Sequence, residues 1–139
     1  MIRLICTSLS FICLLAVFSA SVYAEEEADL PKPQYYTLRP SFVANFGESS
    51  TKRLKFIKAD VSVRVFSEDA ISAIMGHDAL VRHQVVMILS AQTEESLATS
   101  SGQELLRQDI LEKVKAVLKE ETGKEQVDEL LFTSFVVQR

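Results

Sequence analysis

Few residues in this 139-residue chain have the type and spacing that catalysis or metal binding requires. The two histidines, His77 and His83, have no cysteine and no Glu-x-x-His pattern beside them. A metal site usually needs three or four ligands that are oriented by further partners, so these histidines are predicted to lie on a helix surface. The two cysteines, Cys6 and Cys13, both lie in the apolar start of the chain, which leaves the remainder without a thiolate.

Signatures of nucleophile and nucleotide chemistry are absent from the sequence. It contains no Gly-x-Ser-x-Gly, no phosphate loop and no dinucleotide fingerprint. The pair His77-Asp78 could suggest a general base, but a base needs a nucleophile and a pocket. Ser67 and Ser101 are better explained as helix caps. We therefore predict a protein that is not an enzyme and has no catalytic, cofactor-binding or metal-binding residues.

The net charge of −4 argues against a nucleic-acid partner.

The first 24 residues have the pattern of a secretory signal. A single basic residue, Arg3, precedes an apolar core, and small residues lead to Ala24. Two interpretations remain open: cleavage after Ala24, or retention as a membrane anchor, since about 22 apolar residues can cross a hydrocarbon core of roughly 30 Å. Either interpretation places the acidic run from Glu25 onward outside the cytoplasm. Residues 25–34 are then an acidic, proline-containing linker, and residues 35–139 a folded domain.

Two stretches alternate between apolar and polar residues, which is typical of half-buried strands. In the first, residues 36–46, Pro40 favours an edge position or a bend. In the second, residues 54–66, a change of parity between Phe56 and Ile57 predicts a bulge. The polar residues 47–51 suit a hairpin loop, so the two strands should pair antiparallel. The residues expected on the buried face of the second strand are Ile57, Ala59, Val61, Val63 and Val65.

Three helices are predicted to follow. Ser67 caps a short helix that ends near Gly76, and the second helix runs from Asp78 to about residue 92. The third begins with a capping box at Ser101 and ends before Gly123. The last two helices each carry an apolar stripe that a sheet or another helix must cover. The stripe residues are Leu80, Val81, Val85, Ile88 and Leu89, then Leu106, Ile110, Leu111, Val114, Val117 and Leu118.

Residues 131–138 are rich in β-branched and aromatic residues on both faces, which favours a central or doubly covered strand. The predicted fold is α+β, with a small antiparallel sheet of about three strands, the chain order β-β-α-α-α-β, and helices packed on one face. The other face is a candidate surface for a partner. It would carry four basic residues among apolar ones, namely Arg39, Lys55, Lys58 and Arg64.

The long third helix also carries basic residues opposite its apolar stripe. Two interpretations are open for this side of the helix. It can be a solvated surface with i,i+4 ion pairs such as Asp109–Lys113, or a contact between protomers. The basic residues are Arg107, Lys113, Lys115 and Lys119.

Four stretches, taken in their order and spacing, resemble the FliL family of flagellar basal body-associated proteins. The resemblance extends over residues 35–139 and ends with the last strand. The four stretches are 36–46 (YTLRPSFVANF), 54–65 (LKFIKADVSVRV), 88–97 (ILSAQTEESL) leading into 102–107 (GQELLR), and 131–138 (LFTSFVVQ). The motif residues resemble core and turn residues, and they are Phe42, Leu97, Leu106, Phe132, Phe135 and Val137.

The resemblance implies a non-enzymatic accessory protein of the flagellar basal body, with no catalytic residues and no cofactor. Members of the family are held in the inner membrane by one N-terminal helix and have a periplasmic domain similar to the stomatin-type (SPFH) domain. They associate with the stator and rotor-ring proteins, form rings around the stator, and support flagellar rotation, swimming, swarming and chemotaxis. For this chain, the resemblance implies the same periplasmic location at the inner membrane, the same partners, and self-association into a ring.

The start of the chain departs from the usual pattern of the family. A typical member begins with a cytoplasmic basic stretch and a clear spanning helix, whereas here only Met1 to Arg3 precede the apolar run. A paralogue that is free in the periplasm therefore fits the sequence as well. The alternative function is a general periplasmic binding module or envelope scaffold of the same fold, unrelated to flagella.

Overall fold

The computed structural model describes residues 31–47 and 54–138. The signal or anchor interpretation of residues 1–24 falls outside this part of the chain, as do most of the predicted linker and of the predicted hairpin loop. Of the helices in the described ranges, none combines the length and the apolar character needed to span a membrane.

Three strands form one antiparallel sheet in the order β1-β2-β3. They are β1 (Gln34–Asn45), β2 (Phe56–Val65) and β3 (Glu129–Gln138). The α+β class and the antiparallel hairpin of the first two strands are confirmed. The prediction of a central last strand is wrong, because β2 is central and β3 is an edge strand. The strand has apolar residues on both faces, but only one face is covered. Leu130 is buried under the helices, whereas Val136 is exposed on the other face.

Both edges of the sheet are irregular. On β1, the three residues from Arg39 to Ser41 lie opposite one residue of β2, and the Arg39–Pro40 peptide bond is cis. Pro40 therefore occupies a bend in an edge strand, as its lack of a backbone donor predicts. The bulge expected between Phe56 and Ile57 is absent. The irregularity lies instead where Thr133 is inserted in β3, and its hydroxyl donates to the carbonyl of Asp60 at 3.3 Å.

Four helices lie between β2 and β3, one more than predicted. They are α1 (Glu68–Gly76), α2 (Asp78–Ser90), the one-turn α3 (Glu94–Leu97) and α4 (Ser100–Thr122). Ser67 caps α1 as predicted, and Gly123 ends α4 in the left-handed conformation with φ of 78°. The capping box expected at Ser101 is wrong. Thr99 caps α4 by accepting from the backbone of Gly102 at 3.0 Å, and the capping box lies at α3.

One hydrophobic core lies between the helices and one face of the sheet. The face of β2 that was predicted to be buried packs against the helices, and each of its apolar side chains is at most 1% exposed. Leu80 was expected in the stripe of α2 but points to solvent, because the buried residues of that helix follow the spacing Val81, Val85 and Leu89. From α4 the core receives Leu106, Ile110, Val114 and Leu118.

Candidate partner-binding face

The candidate site is the face of the sheet that carries no helix among the described residues, here called the open face. Successive residues of a strand point to opposite faces, so the side chains that alternate with the core residues of β2 all lie here. They are Phe56, Lys58, Asp60, Ser62 and Arg64. Ser62 is nonetheless buried, and its hydroxyl lies 2.9 Å from that of Thr37 on the neighbouring strand.

Of the four basic residues predicted for this face, Arg64 and Lys55 are engaged within the fold. Arg64 forms ion pairs with Asp128 at 2.6 Å and Glu129 at 2.9 Å. The hydrogen bond to Asp128, followed by that to Tyr35, raises the pKa of Arg64 above its ordinary value. Placing Lys55 on the open face is wrong, because it precedes β2 with the parity of the core residues and pairs with Glu94 of α3.

Arg39 lies at the bend of β1 and lines an open cavity of about 740 Å³. The lining is mixed. Its apolar part comes from Leu38 and Pro40, and its polar part includes the hydroxyl residues Thr37, Ser41 and Thr133 and the carboxylate of Asp60. No group of three His, Cys, Asp or Glu residues that could hold a metal ion occurs in residues 31–47 and 54–138.

Lys58 is exposed on the open face, and none of the ion pairs among the described residues involves it. Its neighbours across the sheet are Val43 on β1 and Val136 on β3. Both valines are exposed, and Phe56 lies two positions along the same face of β2. Leu54, which precedes the strand with the same parity, is 77% exposed. We call these residues, Val43, Leu54, Phe56, Lys58 and Val136, the lysine corner.

The two histidines do not form a site. His77 lies between α1 and α2, and its Nδ1 atom is 3.9 Å from the carboxylate of Glu121. His83 is exposed on α2. Their positions agree with the prediction that they lie on or beside a helix.

The basic residues of α4 differ in their surroundings. Lys119 pairs with Glu125 at 3.2 Å, whereas the predicted pair Asp109–Lys113 is absent from the ion pairs of the described residues. Lys113 is exposed. The alternative of a contact between protomers stays a prediction.

An arginine clamp that the sequence did not predict joins α4 to the edge strand β3. Arg107 donates to the backbone carbonyl of Leu130 at 2.8 Å and is held by two hydrogen bonds to Glu104. The hydrogen bonds from Arg107 and then Gln108 lower the pKa of Glu104 to about 2. The i,i+3 spacing of Glu104 and Arg107 was a usable signal for their pairing. The contact with Leu130 depends on the tertiary fold, so no local pattern could reveal it.

A second arginine was missed on the side of β1. The guanidinium carbon of Arg82 lies 4.3 Å from the centre of the Phe42 ring, and its Nη2 donates to the carbonyl of Pro40 at 2.9 Å. A cation over an aromatic face is an attractive arrangement. Arg82 therefore connects α2 to the bend of β1 next to the Arg39 cavity.

Comparison with known proteins finds one family over this domain. The family model described as flagellar basal body-associated protein FliL matches residues 35–138. This range includes all the described helices and strands apart from Gln34, the first residue of β1. A protein named flagellar protein FliL from Aquifex aeolicus (strain VF5) is 22% identical over 103 residues. That alignment covers 74% of this chain and 60% of the relative, so this chain spans less than two thirds of that protein.

Proposed function

Since the chain belongs to the FliL family of flagellar basal body-associated proteins, we propose that it is a non-enzymatic accessory protein of the flagellar motor. Family membership carries this proposal, because the match covers the folded domain from β1 to β3. It implies a role at the flagellar basal body and hence in the cell envelope. The finer proposal is that the protein associates with the stator and supports flagellar rotation, swimming, swarming and chemotaxis.

We propose further that the domain lies on the periplasmic side of the inner membrane and shares the stomatin-type architecture. An N-terminal segment ending at Ala24, cleaved or retained as an anchor, would direct it there. The proposed partners are stator and rotor-ring proteins and further copies of the chain in a ring. The open face supports a binding role, because exposed apolar side chains beside a lysine suit a protein contact better than a reaction.

A clean deletion strain tests this function directly. We expect a normal number of filaments per cell with reduced spreading, and a larger defect in firmer agar, where the motor works against a higher load. Expression of the parent gene from a plasmid should restore spreading on both media. Filament counts and swimming speeds in the same cells separate a defect in rotation from a defect in assembly.

Two results would contradict the proposal. Unchanged swimming and swarming in the deletion strain, together with an even distribution of the tagged protein around the envelope, would favour the alternative of a general periplasmic scaffold. Loss of filaments would place the protein in flagellar assembly and not in rotation.

A further inference from the structure

We propose that the lysine corner binds the acidic segment 25–29 of a second copy of this chain. The inference rests on the self-association proposed above and deepens it, because it names the two surfaces that meet. Three observations carry it: the exposure of the corner, the charge of the two partners, and the length of chain between the acidic segment and β1.

The lysine corner groups several exposed apolar side chains on the open face. Leu54 is 77% exposed, Val43 59% and Val136 49%. Val43 and Val136 are the direct cross-strand neighbours of Lys58, so their side chains flank it on both sides. An exposed apolar frame around one charge is typical of a surface that becomes buried in a contact.

The charge of Lys58 is unused within the described part of the chain. Arg64, Arg107, Lys55 and Lys119 each form an ion pair, whereas none involves Lys58. The acid that follows on the same face, Asp60, is not in ion-pair contact with it. A partner carrying carboxylates between small or apolar residues would therefore satisfy both the ammonium group and its frame.

The sequence contains a segment with that chemistry. Residues 25–30 read EEEADL, with four carboxylates in the first five positions and two apolar residues, Ala28 and Leu30, among them. The neighbourhood of Lys58 has the opposite character, because residues 52–58 hold four basic residues and no acidic one. The two segments are thus complementary in charge within a chain whose net charge is only −4.

The length of chain between the acidic segment and β1 limits how far the segment of one copy can extend along its own sheet. The acidic segment leads into Gln34, which pairs with Val65 at one end of the sheet, whereas Lys58 pairs with Val43 near the other end. Val43 lies nine positions after Gln34 along the strand, a span of roughly 30 Å. Asp29 can lie at most about 17 Å from Gln34, and Glu25 reaches about 31 Å only when fully extended. A second copy is not subject to this limit of length, so the proposed contact is between copies.

Such a contact joins two different parts of the chain, the lysine corner of one copy and the acidic segment of the next. Contacts of this head-to-tail kind continue from copy to copy and produce a closed ring or an open filament, according to the rotation between neighbours. The lysine corner would lie at each joint.

Charge reversal in the full chain, purified from the cell envelope in mild detergent, tests the contact. One variant is Lys58→Glu, the second combines Glu25→Lys, Glu26→Lys and Glu27→Lys, and the third combines all four changes. We expect each of the first two to weaken self-association about tenfold or more, measured by sedimentation velocity, and the third to restore most of it. Lys124→Glu is the matched control, since it reverses an exposed charge in the turn after α4 and should leave association unchanged.

The remaining outcomes identify which part of the inference fails. Equal association of all variants would overturn the contact while leaving the proposed self-association in place. A monomeric parent chain would overturn both. Weakening by the first two variants without recovery in the third would show that the segments act separately and would also overturn the contact. Binding of the parent to anionic vesicles that Lys58→Glu abolishes, with no change in association, would assign the corner to lipid instead.

Discussion

The two faces of the sheet show how one strand can serve two purposes. On the covered face, the apolar side chains of β2 are at most 1% exposed and pack under α2 and α4. On the open face, the same strand presents Lys58, Asp60 and Arg64 between exposed valines of its neighbours. The covered face is expected to determine the stability of the fold, whereas the open face is free to change with the partner. Substitutions at matched positions can separate these two roles.

The largest expected difference is between two adjacent residues of β1. Phe42 is 1% exposed on the covered face, and Val43 is 59% exposed on the open face. Phe42→Ala removes a buried ring and the surface on which Arg82 stacks, so we expect a loss of about 3–5 kcal/mol in the free energy of unfolding. Val43→Ala should change it by about 0.5 kcal/mol or less. Urea denaturation of the two variants measures both values.

A similar loss in both variants would contradict this division of the sheet. It would mean that the open face is covered in the isolated chain, by residues outside the described ranges or by a second copy. Repeating the measurement over a range of protein concentrations distinguishes these cases, because only association makes the midpoint depend on concentration.

A smaller effect is expected at the edge of the covered face. Phe135 would cost about 3–5 kcal/mol on truncation to alanine if it were fully buried, as the prediction of a central strand implied. In the structure it is half-buried on β3 and stacks against Phe132, with ring centres 4.9 Å apart. We therefore expect Phe135→Ala to cost about 2 kcal/mol. A value equal to that of Phe42→Ala would show that the edge is covered by something else.

The sequence predicted the features that depend on local periodicity. The alternation of β2 identified its five core residues, and the cap at Ser67 and the stop at Gly123 marked helix ends. The family resemblance was also confirmed, because it depends on the order of several motifs. The strand and helix-cap patterns depend only on residues that are close together in the sequence, so they can be recognised without knowing the tertiary fold.

The errors concern relations between distant parts of the chain. Residues 131–138 resembled a central strand because composition cannot distinguish a doubly covered strand from an edge strand beside a partner surface. Lys55 was assigned to the open face. It lies two positions before Ile57, so its side chain is on the covered side of the sheet, where it pairs with Glu94 of α3. The arginine contacts of Arg82 with Pro40 and of Arg107 with Leu130 join residues 42 and 23 positions apart. No pattern within a single element could predict them.

The helical layer that covers one face depends in turn on the correct start of α4. Thr99 caps this helix, whereas Ser101, the cap suggested by the sequence, lies inside it. Thr99→Ala leaves the amide of Gly102 without its acceptor and should destabilise the protein by about 1 kcal/mol. Ser101→Ala is the matched control and should have little effect or a small stabilising one, since alanine favours a helix interior. Thermal unfolding of both variants checks the assignment, and the reverse order would restore the capping box at Ser101.

The smallest effect is expected at the clamp that holds α4 against the edge of β3, and it depends on pH. Because the pKa of Glu104 is lowered from 4.5 to about 2 in the folded state, the unfolded chain takes up its proton first as the pH falls. The stabilisation from the Glu104–Arg107 pair is therefore complete above about pH 4.5 and is lost progressively down to about pH 2. Glu104→Gln removes this titration and keeps the shape of the side chain. The urea midpoints of parent and variant should differ at neutral pH and converge over this window. A difference that stays constant with pH would show that ionisation of Glu104 does not contribute to the stability of the fold.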